Sequence, residues 1–529
     1  MSTITSPVHR CPLPAPAVEP SVAAAFLRHA AADPGAVAVV DGATGEVLTR
    51  GDLAARSAAL AAGLRAGGVR PGDLVAVAMP NLAWWPVVAL GVWRAGAAVS
   101  PLSPLWTPDE WARVLGRAAP RAAIAFAPIA PAVRAALASA GLHDIDLAVL
   151  GGEAEGATPI EALLALDAGD PYAEPILEPD DLAAVPFSSG TGGLPKGVRL
   201  THGNLAAAAE QAATAFRAAG PFDEASVVLG GAPYFHSIGL ALMLCTPLRV
   251  GARLVSIPRP VLEPLLELIA AQRVTHVAVP PPLFEALATD PRLDEHDLSS
   301  LRLVITGGAH LHPHVEQAVS ERLGCVARQG YGATEATCTI SAPLGRPSTP
   351  ATVGWLMPGT EARLVEPGTS ADAEPGEPGE LWVRGPQVMQ GYHGLPAETA
   401  AAITPDGWLR TGDLVAIRED GQLEIRDRLK ELIKVNGASV APAEIELVLR
   451  QHPAVRDAGV VGIPDADRGE VPVAFVALDA PVGPVELEEF AAARLAAYKR
   501  PREIVVIDEL PRLLTGKLLR RELRERALA

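Results

Sequence analysis

The chain has 529 residues, of which 49% are hydrophobic and 20% are charged, so it is globular and too long for one compact core. Its net charge of −17 argues against non-specific binding to nucleic acid or to anionic lipid. The N-terminus lacks the apolar core of a secretory signal, no apolar run is a good membrane span, and four scattered cysteines fit free thiols. We therefore predict a cytoplasmic protein with no membrane or nucleic-acid partner.

Predicted helices and strands alternate over the first 150 residues. Apolar residues at helical spacing predict helices at 21–32, 50–66, 82–94, 108–118 and 133–140. Short apolar runs predict strands at 37–40, 46–49, 75–78, 97–100, 122–125 and 147–150. This alternation is typical of an α/β unit with a mostly parallel sheet. The acidic, proline-rich segment 153–181 that follows is predicted to be a linker.

The α/β pattern resumes after this linker and then changes twice. Strands are predicted at 227–229, 253–256, 274–279, 301–306 and 325–329, with helices at 260–272 and 313–323. Short strands and turns over 352–425 predict a β-rich subdomain. A compact tail has predicted helices at 442–450 and 485–497 and strands at 455–461, 471–478 and 503–507. We predict an α/β fold with a large N-terminal domain, 1–426, a charged connecting segment, 427–432, and a small α+β C-terminal domain, 433–529.

The stretch 188–198, SSGTGGLPKGV, lies between two predicted strands and is rich in glycine. Glycine lets backbone N–H groups turn towards an anion without a Cβ in the way. Further hydroxyl and ammonium donors come from Ser188, Ser189, Thr191 and Lys196. A polyphosphate is the natural ligand for such a loop, and a flexible surface hairpin is the plainer alternative. The spacing is not that of a Walker A loop, because Pro195 precedes the lysine.

Charged residues at four later places have both a functional and a plainer interpretation. Glu335 at a strand end could ligate Mg²⁺ on a triphosphate, or it could simply favour a helix N-terminus. Asp413, in the turn TGD, could accept the ribose hydroxyls of a nucleotide or form an ordinary Asx-turn. The cluster in 428–434 could be a solvated charged face. Lys517, in LTGK, could be a surface lysine.

Seven motifs follow one another along nearly the whole chain: SSGTGGLPKGV, YFHSIGL, QGYGATE, TGD, DRLKELIK, VAPAE and PRLLTGKLLR. In order and approximate spacing they resemble the adenylate-forming superfamily, which includes acyl-CoA synthetases, firefly luciferase and adenylation domains. The 4-coumarate:CoA ligase-like branch is the most similar. Several independent motifs in one order are far more specific than any motif alone, so the resemblance favours the functional interpretations.

The resemblance implies that ATP is a substrate and that Mg²⁺ is required. Thr334 would contact the α-phosphate, Glu335 the magnesium ion, and Asp413 and Arg428 the ribose. The residues implied in ATP binding are Ser188, Ser189, Gly190, Thr191, Gly192, Gly193, Lys196, Gly308, Ala309, Gly330, Tyr331, Gly332, Asp413 and Arg428.

The resemblance also implies a mobile C-terminal domain, with the connecting segment 427–432 as its hinge. Lys517 would bridge the carboxylate of the acid and the α-phosphate during adenylate formation. A large rotation about the hinge residue Lys430 would then exchange the Lys517 face for the face that carries Lys434. One active site would thus be served by two sets of residues in sequence.

A pocket for the carboxylic acid is implied as well. Its lining would be Tyr234, Phe235, His236, Ser237, Gly239, Ile305, Gly307, His310, Ala333, Cys338 and Thr339. His236 matches the gating histidine of the family, with a core histidine as the alternative. Ser237 stands where amino-acid-activating relatives carry an aspartate, and Ile305 matches the lysine that 4-coumarate ligases place near the phenol. We therefore expect an apolar cyclic, aromatic or short acyl acid.

The run HLHPH at 310–314 has alternate histidines, which would suit a metal site. The matching loop of the family has proline in place of His310 and borders the acyl pocket, so the resemblance disfavours a metal there.

The acceptor of the acyl group has two candidates. Gly192 replaces the usual threonine of the phosphate loop but keeps its backbone donors. Near Lys434, where CoA ligases of this branch carry a lysine and then an aromatic–glutamine pair, this chain has Asn436, Ala438 and Ser439. Transfer to the CoA thiol and transfer to an amino acid's amine, as in coronafacate ligase, therefore both stay open. A catalytically dead nucleotide-binding scaffold is the non-enzymatic alternative, and the sequence does not predict the oligomeric state.

Overall fold

The computed structural model describes residues 8–15, 19–167, 169–173, 176–188, 195–308, 311, 313–344, 349, 351–436, 438–465, 467–513 and 516–528. These residues form two large mostly parallel sheets, an antiparallel sheet and a separate C-terminal sheet, with helices between the strands. The predicted α/β class, with its β-rich subdomain and small α+β C-terminal domain, is confirmed. Across the described ranges, no helix is long and apolar enough to span a membrane.

The first sheet has nine strands, and its central strands run parallel and are buried on both faces. The indole N–H of the buried Trp93 donates to the carbonyl of Ala183 at 2.9 Å, which fixes a covering helix on the sheet. In spatial order the strands are Phe187–Ser188, Lys196–Thr201, Leu182–Ala184, Ala98–Leu102, Leu74–Ala78, Ala122–Phe126, Asp146–Leu150 and Thr158–Pro159, with Gly391–Tyr392 paired to Lys196–Thr201. The accompanying helices are Arg50–Ala66, Trp84–Arg94, Pro108–Ala118, Ala130–Ser139, Ile160–Leu164 and His202–Ala219, with a 3₁₀ turn at Ala127–Ile129.

The second sheet has seven strands, which run parallel except for the predicted N-terminal hairpin. In spatial order they are Val326–Gly330, Leu303–Gly307, His276–Ala278, Val227–Leu229, Arg253–Ser256, Val37–Asp41 and Val47–Thr49. The accompanying helices are Val22–Ala32, Thr246–Val250, Leu262–Gln272, Pro281–Thr289 and Pro313–Leu323, with a π-helix at Ile238–Cys245 and a 3₁₀ turn at Pro291–Glu295. Because the strands are parallel, their carboxyl ends meet at one edge of the sheet.

The β-rich subdomain is built on a five-stranded antiparallel sheet. In spatial order its strands are His9–Arg10, Glu361–Val365, Gly379–Arg384, Leu409–Ile417 and Leu423–Arg428. Smaller elements nearby in the chain are the strand pair Ser341–Ala342 and Trp355–Leu356, the helix Pro396–Ala402 and a 3₁₀ turn at Thr334–Ala336.

The C-terminal sheet has the spatial order Ala438–Val440, Ile433–Val435, Gly469–Leu478 and Val455–Asp465, and Glu503–Val506 runs parallel to Gly469–Leu478. The helices are Pro442–Arg450, Pro484–Ala492 and Arg520–Leu528, with a 3₁₀ turn at Ala497–Lys499. Asp427 links the β-rich sheet to this domain, because its carboxylate accepts the backbone N–H of Ala443 at 3.0 Å. Burial raises the pKa of Asp427 to about 6.

Not every element was predicted, and those that were not include a helix in the expected linker and a π-helix. The segment expected to be a linker contains the helix Ile160–Leu164. This helix packs against Gly63 so closely that a Cβ at Gly63 would lie only 2.6 Å from the carbonyl oxygen of Leu163. The π-helix Ile238–Cys245 begins in the motif YFHSIGL, and the hydroxyl of Thr246 donates to the carbonyl of Ala241, five residues earlier. Both depend on contacts that a local apolar pattern does not encode.

Candidate active site

Predicted site residues gather at the carboxyl edge of the second sheet. Gly307 and Gly330 end neighbouring parallel strands and are direct partners in register. A Cβ on Gly307 would lie 2.9 Å from the carbonyl oxygen of Gly330, so this close approach requires glycine. Gly308 follows with φ +88°, a conformation that also favours glycine. Ligands of open α/β sheets bind at such an edge.

The antiparallel sheet brings a buried carboxylate to this edge. Asp413 and Arg428 are direct partners on neighbouring strands, and Arg428 Nε lies 3.1 Å from Asp413 Oδ1. The hydroxyl of Tyr331 donates to Asp413 Oδ2 at 2.5 Å. Asp413 is only 3% exposed, and burial raises the pKa of its carboxyl, while Arg428 and Tyr331 act to lower it. The three predicted nucleotide-binding side chains therefore form one connected group.

Glu335 joins the glycine-rich loop to the same edge. Its Oε1 accepts a hydrogen bond from the hydroxyl of Ser188 at 3.1 Å and another from the hydroxyl of Tyr392 at 2.9 Å. The ammonium of Lys196 lies 4.7 Å from the centre of the Tyr392 ring, a cation–π distance. Sequence reasoning missed Tyr392, because only its strand pairing beside Val198 brings it close to the loop.

The Glu335 carboxylate fits the predicted magnesium ligand. Among the described residues, both hydrogen bonds to this carboxylate go to Oε1. The described residues contain no group of three or more His, Cys, Asp or Glu side chains that could hold a metal by themselves. Mg²⁺ is commonly held by one or two carboxylates together with substrate phosphates, and a single glutamate beside a phosphate loop suits that arrangement.

The turn after Tyr331 is tightly constrained. A Cβ on Gly332 would lie 1.6 Å from the carbonyl oxygen of Cys338, so only glycine fits. Thr337 has φ +48° and its hydroxyl donates to the carbonyl of Gln387 at 2.6 Å, which holds this unusual conformation. The hydroxyl of Thr334 donates to Ser237 Oγ at 3.5 Å. The turn thus connects the predicted nucleotide side of the site with the predicted acid side.

The motif YFHSIGL is anchored by a residue that the sequence analysis did not select. The side-chain amide of buried Asn81 donates to the carbonyls of Gly230 and Ala232, and its Oδ1 accepts the backbone N–H of Tyr234 at 2.8 Å. A Cβ on Gly239 would lie 1.9 Å from the carbonyl oxygen of Pro233. A buried asparagine just after a strand is the signal that could have found this anchor.

The predicted acid pocket is mostly apolar where it is described. Burial lowers the pKa of His236 to about 4, so its imidazole is neutral at pH 7, and it lies 4.6 Å from the Phe235 ring. Ile305 is buried near the end of its strand. Burial raises the pKa of the Cys338 thiol to about 12, which keeps it protonated and unreactive. The remaining described residues of the predicted pocket are Tyr234, Ser237, Gly239, Gly307, Ala333 and Thr339.

Lys517 reaches the site from the C-terminal domain. Gly516, with φ +81°, lies against the N-terminal domain, where an added Cβ would be 3.2 Å from the Cδ atoms of Pro281 and Pro282. Burial lowers the pKa of the Lys517 ammonium and the charge of Arg428 lowers it further. Nearby carboxylates act in the opposite direction, and these are Glu431, Asp413 and Glu335. The structure therefore brings Lys517 into the charge environment of the predicted ATP site.

The other two predicted lysines of the C-terminal part are exposed. Lys434 lies opposite Ser439 on its strand pair, and its backbone N–H donates to Glu470 Oε2 at 2.9 Å. Lys430 follows the last strand of the antiparallel sheet, in the segment between the two domains. The predicted rotation that would exchange Lys517 for Lys434 stays a prediction.

Several predictions lie outside the residues that the structure describes. They concern Ser189, Gly190, Thr191, Gly192, Gly193, Ala309 and His310. His312, from the histidine run considered as a metal site, also lies outside them.

Comparison of the sequence with protein families gives two matches. The AMP-binding enzyme family matches residues 26–393, and the AMP-binding enzyme C-terminal domain matches residues 444–517. A curated relative, 4-coumarate–CoA ligase 5 of Oryza sativa subsp. japonica, is 37% identical over 500 residues, which cover 93% of this chain and 92% of the relative.

Solved structures similar to this fold include enzymes of both transfer types. A benzoate CoA ligase from Burkholderia xenovorans LB400 has a TM-score of 0.84 and 29% identity, with 95% of this chain and 99% of that chain covered. The amide bond synthetase McbA from Marinactinospora thermotolerans also has a TM-score of 0.84, with 30% identity and coverage of 96% and 99%.

Proposed function

We infer the function from the premise that this chain belongs to the AMP-binding enzyme family and is an ATP-dependent, adenylate-forming acid ligase. We propose that it activates an apolar cyclic, aromatic or short acyl acid as its acyl-adenylate and then passes the acyl group to the thiol of CoA. The observation that carries the proposal is that the charges of Arg428, Asp413 and Glu335 all act on Lys517, whose neighbour Gly516 packs against the N-terminal domain.

In the first half-reaction, a carboxylate oxygen of the acid attacks the α-phosphorus of ATP. The new O–P bond forms as the bond between the α-phosphorus and its bridging oxygen breaks, and pyrophosphate leaves with the electron pair. Two anions must approach each other, so positioning and charge compensation dominate, and little proton transfer is needed. Lys517 and Arg428 supply positive charge, and Asp413 accepts the ribose hydroxyls.

Magnesium would be held by Glu335 together with oxygens of the triphosphate. The ion supplies charge neutralisation on the leaving pyrophosphate. The hydroxyls of Ser188 and Tyr392 both donate to Oε1 and thereby fix the orientation of the Glu335 carboxylate. The Lys196 ammonium, which lies 4.7 Å from the centre of the Tyr392 ring, would bind the β- and γ-phosphates together with the glycine-rich loop.

The acid specificity rests on the lining of the pocket. Ile305 is buried and offers no hydrogen bond to a ring hydroxyl, while Ser237 offers no charge to an α-amine. Benzoate, the acid in the name of a structural neighbour, is an aromatic acid of the proposed class. Ile305→Lys should raise kcat/KM for 4-coumarate relative to cinnamate, whereas Ile305→Met, a change of similar volume without charge, should leave that ratio near the parental value.

Adenylation itself is tested by pyrophosphate release. The purified protein with ATP and Mg²⁺ should release pyrophosphate with at least one member of a panel containing benzoate, cinnamate, cyclohexanecarboxylate, butyrate and several amino acids. Amino acids should give the weakest response. Measurable ATP binding with no release for any acid would favour the dead nucleotide-binding scaffold instead.

The second acceptor, an amino acid's amine, is kept because of two observations. Asn436 stands where a CoA-contacting lysine is expected, and its backbone is in the left-handed region, with φ +51°. An amide bond synthetase is also among the similar structures. With the accepted acid, ATP and Mg²⁺, CoA should yield an acyl-CoA detectable by mass. An N-acyl amino acid formed from an amino-acid mixture, with no thioester formed from CoA, would establish the amide route instead.

The setting of the reaction is also part of the proposal. All four cysteines are free, which supports a reducing cytoplasm. The net charge of −17 supports small-molecule rather than nucleic-acid or membrane partners. We further propose that the C-terminal domain rotates about Lys430 after adenylation, because Lys434 in its exposed position would otherwise not serve the second half-reaction.

A further inference from the structure

The described residues on either side of 514 and 515 pair with one another, and we refer to 511–513 and 516–519 as the hairpin. Arg512 and Leu518 form an antiparallel bridge, and the backbone N–H of Leu513 donates to the carbonyl of Lys517 at 2.8 Å. The N–H of Gly516 donates back to the carbonyl of Leu513, also at 2.8 Å. The position of the Lys517 backbone is therefore coupled to the start of the hairpin.

Arg512 holds this hairpin by two separate contacts. Its Nη1 donates to the carbonyl of Gly516, the residue before Lys517, at 2.6 Å. Its other nitrogens donate to both carboxylate oxygens of Asp457. Nε lies 3.0 Å from Oδ2, and Nη2 lies 2.9 Å from Oδ1 and 2.7 Å from Oδ2. Asp457 lies on the long strand Val455–Asp465 of the C-terminal sheet, where it pairs with Ala477. A planar guanidinium can satisfy both partners at once, which an ammonium cannot do with the same geometry.

Asp457, which holds Arg512, is itself held by a second arginine. Arg450, near the end of the helix Pro442–Arg450, donates from Nε to Asp457 Oδ1 at 3.1 Å and from Nη2 to the carbonyl of Ala458 at 2.8 Å. Asp457 is therefore fixed from the helix side and from the hairpin side. Two arginines on one carboxylate leave the cluster with a net positive charge.

The N-terminal domain places a carboxylate beside this cluster. Glu285 belongs to the helix Pro281–Thr289, whose first residues lie against Gly516. Burial raises the pKa of Glu285, and Asp457 raises it further, whereas Arg450 and Arg512 lower it. The helix Pro281–Thr289 thus packs against the hairpin at Gly516 and also carries a carboxylate whose charge interacts with Arg512.

We propose that Arg512 is a positioning residue for adenylate formation, because it fixes the Gly516 carbonyl to Asp457 and thereby aims Lys517 at the reacting atoms. This inference rests on the proposed ligase function. Arg512 does not touch the substrates in this scheme, and it acts through the hairpin. After domain rotation the hairpin no longer serves the site, so the transfer step should be indifferent to Arg512.

The test compares Arg512→Met with Arg521→Met. Methionine keeps an unbranched apolar stem but removes the donors, and Arg521 is a matched arginine in the same domain whose side chain is 88% exposed. Arg512→Met should lower kcat for pyrophosphate release about 10- to 100-fold, the range for losing a hydrogen bond to a charged group. The KM for ATP and the rate of transfer from the pre-made acyl-adenylate should stay within about twofold of the parent. Arg521→Met should match the parent in every assay.

A second measurement needs no catalysis. Hydrogen exchange at the amides of Leu513 and Gly516 should speed up in Arg512→Met, while exchange in the strand Val455–Asp465 should not change. Unchanged exchange in the hairpin, or an equal fall of both half-reactions, would overturn the positioning role. If the parent protein releases no pyrophosphate with any acid, the ligase function fails, but the exchange comparison still decides whether Arg512 holds the hairpin.

Arg512→Lys covers the case in which the methionine variant does not fold. The lysine keeps a positive charge beside Asp457 and Glu285 but cannot grip Asp457 and the Gly516 carbonyl together. We expect a smaller loss of pyrophosphate release, roughly 5- to 20-fold, again with an unaffected transfer step. Parental pyrophosphate release in this variant, with parental hairpin exchange, would also overturn the proposal.

Discussion

Asp413 and Arg428 face each other on neighbouring antiparallel strands, with Arg428 Nε 3.1 Å from Asp413 Oδ1. The strand register places the two residues opposite each other, so the backbone itself brings their side chains within contact distance. The hydroxyl of Tyr331, which follows the strand Val326–Gly330 of the second sheet, donates to the second carboxylate oxygen. A buried carboxylate held on both oxygens is preorganised to accept hydroxyl groups, which is the property that a ribose site requires.

Asp413→Asn should weaken ATP binding. The amide keeps the shape of the side chain but loses the charge that Arg428 and Tyr331 compensate, so we expect the KM for ATP to rise about 10- to 100-fold. Initial rates over a range of ATP concentrations measure this change. Asp479→Asn, at an exposed carboxylate of the C-terminal domain, is the matched control and should behave like the parent. A parental KM for ATP in Asp413→Asn would remove this residue from the nucleotide site.

Lys517→Ala and Lys434→Ala should affect different half-reactions. Loss of the Lys517 ammonium should raise the barrier to adenylation by about 3 kcal/mol, by analogy with the loss of one oxyanion donor, and should largely spare acyl transfer. Lys434→Ala should do the reverse, because this lysine is exposed while Lys517 is in the site. Pyrophosphate release and transfer from a pre-made acyl-adenylate separate the two steps. If both variants lost the same step, the rotation model would be wrong.

Gly516→Ala should impair adenylation without unfolding the C-terminal domain. The left-handed backbone at φ +81° costs alanine about 1–2 kcal/mol, and the new methyl would press on Pro281 and Pro282 of the N-terminal domain. Both effects act against the docked position of Lys517. Gly483→Ala is the matched control, since its φ is −82° and nothing lies within 4 Å of an added Cβ. Equal rates of pyrophosphate release in the two variants would contradict this account.

Local patterns in the sequence suggest candidate site residues, but they do not predict the contacts between those residues. The glycine-rich loop and Glu335 can be proposed from the sequence because a phosphate site needs glycine, hydroxyls and charge close together in the chain. The structure places Glu335 in a 3₁₀ turn and not at the predicted strand end. The pairing of Asp413 with Arg428 depends on strand register, and the Tyr392 hydroxyl reaches Glu335 across 57 residues. Asn81 was missed for the same reason, because its partners in 230–234 are about 150 residues away. Long-range contacts of this kind leave no local pattern.

A buried histidine outside the site should make stability depend on pH. His276 lies between Phe216, at 5.6 Å, and Phe222, at 4.8 Å, and its Nδ1 is 2.8 Å from Thr275 Oγ1. Its Nε2 is buried and has no hydrogen-bond partner among the described residues. Burial lowers the pKa of this imidazole to about 3, Arg302 lowers it further, and Asp223 acts to raise it.

Because the folded pKa of His276 lies below its ordinary value of about 6.5, the unfolded chain binds the proton more readily between those values. The stability due to the neutral imidazole is therefore fully present above about pH 6.5 and is lost as the pH falls. At pH 5 the loss should be about 2 kcal/mol. His276→Gln cannot titrate, so its unfolding temperature should lie below that of the parent at pH 7.5 and approach it at pH 5. Leu287→Ala, which removes buried packing but no titratable group, should keep its full deficit at both pH values. A constant gap between the parent and His276→Gln would show that this histidine is not held neutral in the folded protein.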